Sequence, residues 1–229
     1  MLKLLSVFKL KMTYLISFLI PTLKERSTKF KSLTDKIFLQ IEDNNLQDQI
    51  EVISIYDNRN LSLSLKRNMM QKICSGKYFI HMDDDDRIAD DYCMTIIEEY
   101  TKLKQKYKYD PDVITYNQFC EVDNNMFIVK CNPQRDMSLT PCGNHYDKNM
   151  KLNGQTPEYE RVPWQFCLWN RKRFAQIYRT DSDTNAREDQ NWLKKVYLEY
   201  PKTFHNIDKV LHYYYFKSDG VGEDASTCQ

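Results

Sequence analysis

Four consecutive aspartates, residues 83–86, directly follow the apolar run 77–82. Adjacent carboxylates repel one another, so a folded chain seldom sets four of them beside a buried strand unless a cation or a ligand offsets their charge. Residues two apart on an extended segment point to the same side, so Asp83 and Asp85 can face one ligand together. Open α/β sheets bind ligands just beyond the carboxyl ends of their strands. The sequence therefore predicts a hard cation, bound by carboxylate oxygen, at the rim of a parallel sheet.

Strand and helix patterns alternate around this motif. Apolar and β-branched runs predict strands at residues 16–21, 50–56, 78–82 and 113–116. Helical periodicity predicts helices at about 27–40, 64–74 and 91–107, the last capped by Asp90 or Asp91. In the second helix Leu65, Met69 and Ile73 recur at four-residue steps, and Gly76 stands where a helix C-cap is expected. This order of elements is typical of an α/β fold with a mostly parallel, Rossmann-like central sheet flanked by helices.

The pattern changes beyond residue 118. Residues 119–122 and 126–131 flank the turn 123–125, which predicts an antiparallel hairpin. Residues 137–161 are rich in turn formers and have no period, which predicts a loop. The remaining chain predicts a strand at 164–169, helices at 171–178 and 188–199, and strands at 203–207 and 210–216. No internal repeat or linker divides the 229 residues, so we expect one domain.

Charge and composition disfavour several classes of protein. The net charge is +1, from 33 basic and 32 acidic residues, so no overall field favours nucleic acid or an anionic membrane. The 7 cysteines form no Cys-x-x-Cys pair, which indicates buried thiols in a reducing, cytoplasmic compartment. The apolar run 14–20 is too short for a membrane span, which needs about 20 apolar residues. We expect residues 1–12 to form a mobile leader and residues 218–229 a mobile tail.

Several short pieces of the sequence occur in a recognisable order. They are Ile-Ser-Phe-Leu-Ile-Pro-Thr (16–22), a strand that ends in Asp57, Leu-Lys-Arg-Asn (65–68), Ser-Gly-Lys-Tyr (75–78), Met-Asp-Asp-Asp-Asp (82–86) and Arg-Glu-Asp-Gln-Asn-Trp (187–192). Together they resemble the family 2 type of nucleotide-sugar glycosyltransferase, most densely over residues 14–100. The resemblance implies the GT-A fold, with a nucleotide-binding half (14–118) and an acceptor-binding half (119–217). The pieces 21–26 and 57–59 are similar to glycosyltransferase domains of large DNA viruses, which implies a location in the host cytoplasm.

The resemblance implies a donor and metal site at the acidic motif. Asp85, with Asp83, would bind Mn²⁺ or Mg²⁺ between the two phosphates of a UDP- or GDP-sugar. Such a cation offsets charge on the departing diphosphate. The alternative is a solvated acidic loop that only caps the next helix. Lys66 is interpreted as part of a solvated helix face, and further donor contacts are implied for Pro21, Thr22, Glu25, Arg26, Asp57, Arg67, Asn68 and Asp84.

Asp189 is the predicted general base. Inversion at the anomeric carbon requires a carboxylate on the acceptor side to take the hydroxyl proton. Acidic residues at a helix start are also ordinary capping, which is the alternative for Asp189. Glu188 and Trp192 are expected at the acceptor, a glycan or a glycoprotein, with core packing as the favoured alternative for Trp192. His212 is a candidate metal ligand, with a packed side chain as its alternative, in a C-terminal region that departs from the family's Tyr-Tyr-Arg ending.

The residues together predict a metal-dependent inverting glycosyltransferase with no nucleic-acid partner and no membrane span. One alternative is a catalytically inactive sugar-nucleotide binder. Another is a nucleotidyltransferase, which would need a further carboxylate on a neighbouring strand and a basic groove. A calcium-binding module is disfavoured because the 12-residue loop pattern is missing after Asp83.

Overall fold

Three parallel strands form one side of the central sheet. The computed structural model describes residues 14–132, 156, 158–179, 188–199 and 201–216. In it β1 (Ile16–Leu23) lies between β2 (Ile50–Asp57) and β3 (Tyr78–His81), and Ile16 is in register with Ile50 and Tyr78. Because the strands run parallel, their carboxyl ends meet at one edge of the sheet. Residues 22, 57 and 83 are thereby brought to that edge, as the sequence predicts.

Helices connect these strands in the predicted order. They are α1 (Ser27–Asp43), entered through a 3₁₀ turn (Lys24–Arg26), α2 (Leu63–Ile73) and α3 (Tyr92–Tyr107). Gln40 links α1 to the start of α3, because its amide donates to the Ala89 carbonyl and accepts from the Cys93 N–H, both at 2.9 Å. The side chains of Tyr92, Ile96 and Leu103 are buried, as expected for the inner face of α3.

Helix α2 is confirmed, but its apolar residues face outward. Leu65, Met69 and Ile73 are 37%, 43% and 64% exposed. The buried positions are instead mostly polar or charged: Ser64, Lys66, Arg67, Met70 and Gln71. Polar side chains are buried only where they have partners. The inner face of α2 adjoins the polar carboxyl edge of the sheet, where such partners are available.

Gly76 has a role different from the predicted one. The C-cap of α2 is Cys74, and Gly76 follows it at the start of the turn into β3. A Cβ atom on Gly76 would lie 2.7 Å from the backbone nitrogen of Ser17 and 2.8 Å from the carbonyl carbon of Ile16. Glycine is needed here because the backbone runs too close to β1 for a side chain.

The rest of the sheet is mixed in direction. β8 (Leu168–Asn170) lies antiparallel between β3 and β5 (Val113–Val122). β5 continues into β6 (Asn125–Cys131) through the predicted hairpin, whose turn residues Asp123 and Asn124 have φ values of 49° and 64°. Both values suit the tight type I′ turn that Asp and Asn tolerate. The α/β class, with a mostly parallel central sheet and a smaller antiparallel part, is confirmed.

The last strand is longer than predicted. β9 (Phe204–Phe216) is one continuous strand where two were expected, and it runs parallel to β5 over the whole length of that strand. Register shifts on either side of Asn117 absorb the irregularity that the sequence suggested as a break. The short β4 (Arg87–Ile88), just after the aspartates, pairs antiparallel with β9. This pairing brings His212 of β9 next to the acidic turn.

Three expectations for residues 137–178 are wrong in detail. The described part of the expected loop contains β7 (Glu158–Arg161), parallel to β6, and the rest of that loop lies outside the described residues. Only 168–170 of the expected strand is extended, because a turn at Trp164 accepts bonds from the Cys167 N–H and the Trp169 indole at 3.0 Å. The helix after it, α4 (Arg171–Phe174), ends early because the Gln71 amide binds the carbonyls of residues 174, 175 and 177.

Helix α5 (Glu188–Leu198) is confirmed within one residue. It packs through Trp192, which is fully buried, against the rings of Phe79, His81 and Trp169. This contact sets the first turn of α5 beside the end of β3. No helix of the described residues is long and apolar enough to cross a membrane. The expected leader and tail lie outside the described residues.

Candidate active site

The four aspartates form a tight turn whose side chains point in different directions. The Asp86 N–H donates to the Asp83 carbonyl at 3.1 Å, and the Asp83 N–H donates to an Asp86 carboxylate oxygen at 2.7 Å. The turn follows β3 directly, so the sheet fixes its position. Asp83 and Asp85 stay partly exposed, at 43% and 38% of their side-chain surface.

Asp84 is buried, and both of its carboxylate oxygens have partners within the protein. One of its oxygens accepts from the Thr22 hydroxyl at 2.7 Å, and the other accepts from Arg26 Nε at 2.7 Å. Only 4% of its side chain is exposed. The expected donor contact of Asp84 stays a prediction, and it would require these protein contacts to change. Asp84 joins the acidic turn to the end of β1.

Positive groups partly balance the two exposed carboxylates. Asp85 lies 2.8 Å from Arg26 Nη2 and 3.9 Å from Lys29 Nζ, and Asp83 is paired with Arg67. Burial raises the pKa of Asp83 to about 6, Arg67 opposes this rise, and the charges of Asp86, Asp85 and Asp189 add to it. Burial also raises the pKa of Asp85, against the effect of Arg26. The turn thus keeps an excess of negative charge despite its arginines.

His212 lies beside Asp86 rather than beside Asp83 or Asp85. Its ring is 1% exposed, stacks on Phe166 at 4.8 Å between centroids, and contacts the Gln118 amide through Nδ1 at 2.9 Å. Its Nε2 is 3.0 Å from an Asp86 oxygen without hydrogen-bond geometry, and has no hydrogen-bond partner among the described residues. The ring is therefore held rigidly with one nitrogen directed at the acidic turn.

A buried charge network connects the acidic turn to α5. Glu188 pairs with Arg67 through one oxygen and with Arg179 through the other, and each of these three side chains is at most 3% exposed. Arg67 in turn holds Asp83. The amide of Asn68 binds the backbone of Arg179 twice, at 2.8 and 2.9 Å. The chain Asp83–Arg67–Glu188–Arg179 thereby spans the two halves of the molecule.

Arg179 reaches further into the core. Its guanidinium lies 3.3 Å from His81 Nε2, 3.4 Å from the Gln165 side-chain oxygen, and over the ring of Trp192. Burial, and then the positive charges of Arg179 and Arg67, hold the pKa of His81 well below its usual value. His81 is therefore neutral within the network, and its Nε2 also lies 3.1 Å from the Gln71 side-chain oxygen.

Lys66 and Asp57 form a second buried pair at the end of β2. Lys66 Nζ is 2.7 Å from one Asp57 oxygen and donates to the Thr22 carbonyl at 3.0 Å, while the Leu61 N–H donates to the other Asp57 oxygen at 2.8 Å. The hydrogen bond from Lys66 holds the pKa of Asp57 below its usual value. The interpretation of Lys66 as solvated is wrong, because its side chain is only 4% exposed.

Burial bears on several predicted contacts, which stay predictions. Glu188 and Trp192 are 2% and 0% exposed in the described chain. Arg67 is likewise buried, and its guanidinium pairs with Asp83. Glu25 is 44% exposed in a surface pair with Arg59. Pro21 and Thr22 lie buried at the end of β1, as their positions require.

Asp189 lies in the first turn of α5, as predicted. One of its oxygens accepts from the N–H of the next residue, Gln190, at 2.8 Å. Asp189 is intermediate in exposure, unlike Glu188 beside it. Its negative charge is among the smaller causes that raise the pKa of Asp83.

Residues missed by sequence reasoning share one property: their partners are distant in the chain. Lys66, Gln71, His81, Gln165 and Arg179 belong to no motif by themselves. One signal was available for Lys66 and Gln71, because they lie on the helix face opposite to Leu65, Met69 and Ile73. A polar inner face next to the carboxyl ends of strands indicates buried ion pairs. Nothing in the sequence distinguishes Arg179 from a surface arginine.

The donor atoms at the turn suit a hard cation only in part. The described residues contain no group of three or more His, Cys, Asp or Glu side chains arranged to hold a metal ion. Two partly exposed carboxylates, Asp83 and Asp85, supply oxygen ligands of the kind that Mg²⁺ and Mn²⁺ accept. These residues therefore fit an ion that takes its remaining ligands from a bound phosphate and water.

Comparison with known proteins places the fold. No protein-family model matches the chain, and no curated protein matches it significantly. Among solved structures it is similar to S. aureus TarS 1–349, with a TM-score of 0.51 and 16% identity over 87% of this chain and 60% of that one. The same TarS segment in complex with UDP gives the same values. The complex with UDP-GlcNAc gives 0.50 and 15%, over 87% and 58% of the two chains.

The chain therefore spans about three fifths of the length of these TarS structures. At this level of identity the similarity concerns the fold. The protein has the GT-A type of α/β fold, with its acidic turn at the carboxyl edge of the sheet.

Proposed function

We propose that the protein is an inverting glycosyltransferase that moves a sugar from a nucleotide-diphosphate donor to an acceptor hydroxyl. The convergence of the acidic turn and the start of α5 is the observation that carries this proposal. Arg67 pairs with Asp83 of the turn and with Glu188, the residue before Asp189, although the turn and α5 are far apart in the chain. Glycosyl transfer requires a site for the leaving diphosphate and a proton acceptor to face the same sugar.

The proposed donor is a UDP-sugar. TarS structures of the same fold contain UDP-GlcNAc and UDP. In open α/β sheets the ligand lies beyond the carboxyl ends of the strands, where Thr22, Asp57 and Asp83 are found here. Two residues of α2 hold parts of this region in place. Lys66 pairs with Asp57, and the Asn68 amide binds the Arg179 backbone. Donor contacts of Pro21 and Thr22 would then involve their backbone and the edges of their side chains.

The proposed cofactor is Mn²⁺ or Mg²⁺, held by Asp85 and Asp83. His212 lies next to Asp86 and not beside these two carboxylates, so its predicted role as a further ligand stays a prediction. When bound, such an ion offsets the negative charge that builds on the leaving diphosphate. Arg67 keeps Asp83 oriented toward the site, because it holds that carboxylate from the buried side.

Asp189 acts as the general base in this proposal. Its carboxylate accepts the proton of an acceptor hydroxyl while the hydroxyl oxygen forms a bond to the anomeric carbon of the sugar. The bond from that carbon to the diphosphate oxygen breaks, and the nucleoside diphosphate leaves with both electrons. Attack from the side opposite to the leaving group inverts the configuration, with no covalent enzyme intermediate. The acceptor is a hydroxyl of a glycan or glycoprotein.

Two aspartate variants test the proposal. In the wild type, Mn²⁺ and one of a panel of UDP- and GDP-sugars should raise the melting temperature. Asp85→Asn should abolish this rise, and Asp189→Asn should keep it but stop release of nucleoside diphosphate. Asp90→Asn is the matched control, because Asp90 is 98% exposed on the surface and should change neither result.

Other outcomes would favour other functions. A melting shift without release of diphosphate, for any acceptor tried, would indicate an inactive sugar-nucleotide binder. Full turnover by Asp189→Asn would remove that residue from the mechanism. Nucleotidyl transfer uses two metals about 4 Å apart. It is not supported, because no cluster of three metal-binding side chains occurs in the described part of the chain.

A further inference from the structure

Arg26 occupies a position among the aspartates that a metal ion would share. Its Nε and Nη2 lie 2.7 and 2.6 Å from one Asp84 oxygen, and Nη2 also lies 2.8 Å from an Asp85 oxygen. The guanidinium thus bridges a buried carboxylate and an exposed one. Only 20% of the Arg26 side chain is exposed, so water screens these contacts weakly.

The anchor of Arg26 is Asp84, not Asp85. Asp84 is buried and is itself fixed by the Thr22 hydroxyl at the end of β1. Burial opposes the charge of Arg26, but Asp84 and Asp85 raise its pKa overall, so it stays a cation. Arg26 can therefore lose its contact with Asp85 and still keep its bonds to Asp84.

The carboxylate of Asp85 cannot bind a divalent cation and Arg26 at full strength at the same time. A divalent ion at its exposed oxygen would lie only a few ångströms from the guanidinium, and two positive charges at that distance repel. A second group faces the same turn. The Nε2 atom of His212, in a ring that is 1% exposed, lies 3.0 Å from an Asp86 oxygen and makes no hydrogen bond in the described chain.

We propose that Arg26 is an internal counter-ion that competes with the divalent cation for Asp85 until a nucleotide is bound. This inference rests on the proposed function. Without nucleotide, Arg26 neutralises Asp85 and the ion binds weakly. A nucleotide diphosphate brings further oxygen ligands and negative charge to the ion, and the ion then displaces Arg26 from Asp85 while Arg26 stays on Asp84. Metal binding and nucleotide binding are thereby made dependent on each other.

The test measures Mn²⁺ binding to the nucleotide-free protein, by the loss of the free-ion electron paramagnetic resonance signal. Arg26→Gln should bind Mn²⁺ roughly tenfold or more tightly than the wild type, because one nearby positive charge is removed. Arg59→Gln is the matched control, since Arg59 is 74% exposed in a pair with Glu25, and its affinity should match the wild type. Adding Asp85→Asn to Arg26→Gln should cancel the gain.

A second variant controls for misfolding of Arg26→Gln. Arg26→Lys keeps a charge for Asp84 but lacks the fork that bridges to Asp85, so its Mn²⁺ affinity should lie between those of the other two proteins. The melting temperature of each variant reports whether it is folded. Equal or weaker Mn²⁺ binding by both folded variants would overturn the competition.

The same titrations separate this inference from the proposed function. If the wild type binds Mn²⁺ together with UDP, but Arg26→Gln gains nothing without UDP, only the role of Arg26 is wrong. If no variant binds Mn²⁺ with or without UDP, the metal-dependent function fails and the inference fails with it.

Discussion

The carboxylate of Glu188 lies between two guanidinium groups that come from opposite halves of the chain. Arg67 belongs to α2 and holds Asp83, whereas Arg179 lies just before the segment that leads into α5. A buried charge without its partner is costly, so each member of this network depends on the others. We therefore expect Glu188 to position Asp189, its neighbour, relative to the acidic turn.

Glu188→Gln should lower kcat by about 10- to 100-fold while the KM for the donor changes little, because misplacement of a catalytic group mainly affects the chemical step. The two arginines would lose the carboxylate that they share, so the first turn of α5 would shift. Steady-state kinetics separates kcat from KM. Glu199→Gln, at an exposed position just beyond the far end of the same helix, should behave like the wild type.

Glu188→Asp keeps the charge and should recover part of the lost kcat. A purely structural role for Glu188 would appear as equal losses in melting temperature and donor binding, with no selective loss in kcat. That result would contradict the positioning role.

Lys66 makes a pH-dependent contribution to stability. Lys66→Met should lower the free energy of unfolding at pH 7 by about 3–5 kcal/mol, because Asp57 loses the counter-ion of a buried pair. The folded-state pKa of Asp57 is lowered, so this stabilisation is present above the usual carboxyl pKa of 3.8 and is lost as the pH falls through the lower folded value. The difference between wild type and variant should therefore shrink in acid.

Chemical denaturation at pH 7 and at pH 3 measures this difference. Lys72→Met is the control, because Lys72 is exposed on the same helix and should change stability by no more than about 0.5 kcal/mol. A difference that stays constant with pH would show that the pair does not act through the ionisation of Asp57.

At the scale of elements, the turn before β3 packs closely against β1. This contact sets how the ends of β1 and β3 align. Gly76 lies against the backbone of Ser17, and the hydroxyl of Ser17 accepts from the Gly76 N–H at 2.8 Å. Glu51 on β2 accepts from the same N–H at 3.0 Å and from the Ser75 N–H at 2.6 Å. These contacts join the turn to β1 and β2, at the edge of the sheet opposite to the site.

Gly76→Ala should lower the free energy of unfolding by about 1–3 kcal/mol, since a methyl group would overlap the backbone of β1. Thermal or denaturant unfolding measures the change. Ile73→Ala should have little effect, because Ile73 is 64% exposed a few residues earlier. Wild-type stability in Gly76→Ala would mean that the two segments can move apart freely.

At the scale of the whole molecule, the site is assembled from both ends of the chain. The parallel strands β1, β2 and β3 supply Thr22, Asp57 and the acidic turn, and they precede residue 90. The second part returns through β8, α5 and β9 and places Arg179, Asp189 and His212 against them. The division into a nucleotide-binding half and an acceptor-binding half stays a prediction, as does the similarity to viral proteins.

The sequence predicts the first part of the fold well, because its signals are local. Residues 16–23 and 78–81 are apolar runs with a single interpretation, and the acidic motif marks the carboxyl edge directly. The second part depends on distant partners. The side chain of Gln71, on α2, binds the carbonyls at the end of α4 and terminates that helix early. Pairing with β5 keeps β9 continuous across the expected break.

The candidate site divides in the same way. Asp83, Asp85 and Asp189 were predicted because their types and spacing are informative in themselves. The burial of Glu188 and Arg67 was not, because burial depends on what the rest of the chain packs against each residue, whereas core packing was the alternative already given for Trp192. The assignment of these three residues to ligand contacts stays a prediction.

The outward apolar stripe of α2 has a consequence for how this helix varies among relatives. Leu65, Met69 and Ile73 are 37%, 43% and 64% exposed in the described part of the chain, so other residues can replace them at little cost. Lys66, Arg67 and Gln71 each satisfy more than one partner and cannot change alone. In diverged sequences the hydrophobic positions of α2 should therefore drift, while the hydrophilic ones persist, which reverses the usual rule for a helix on a sheet.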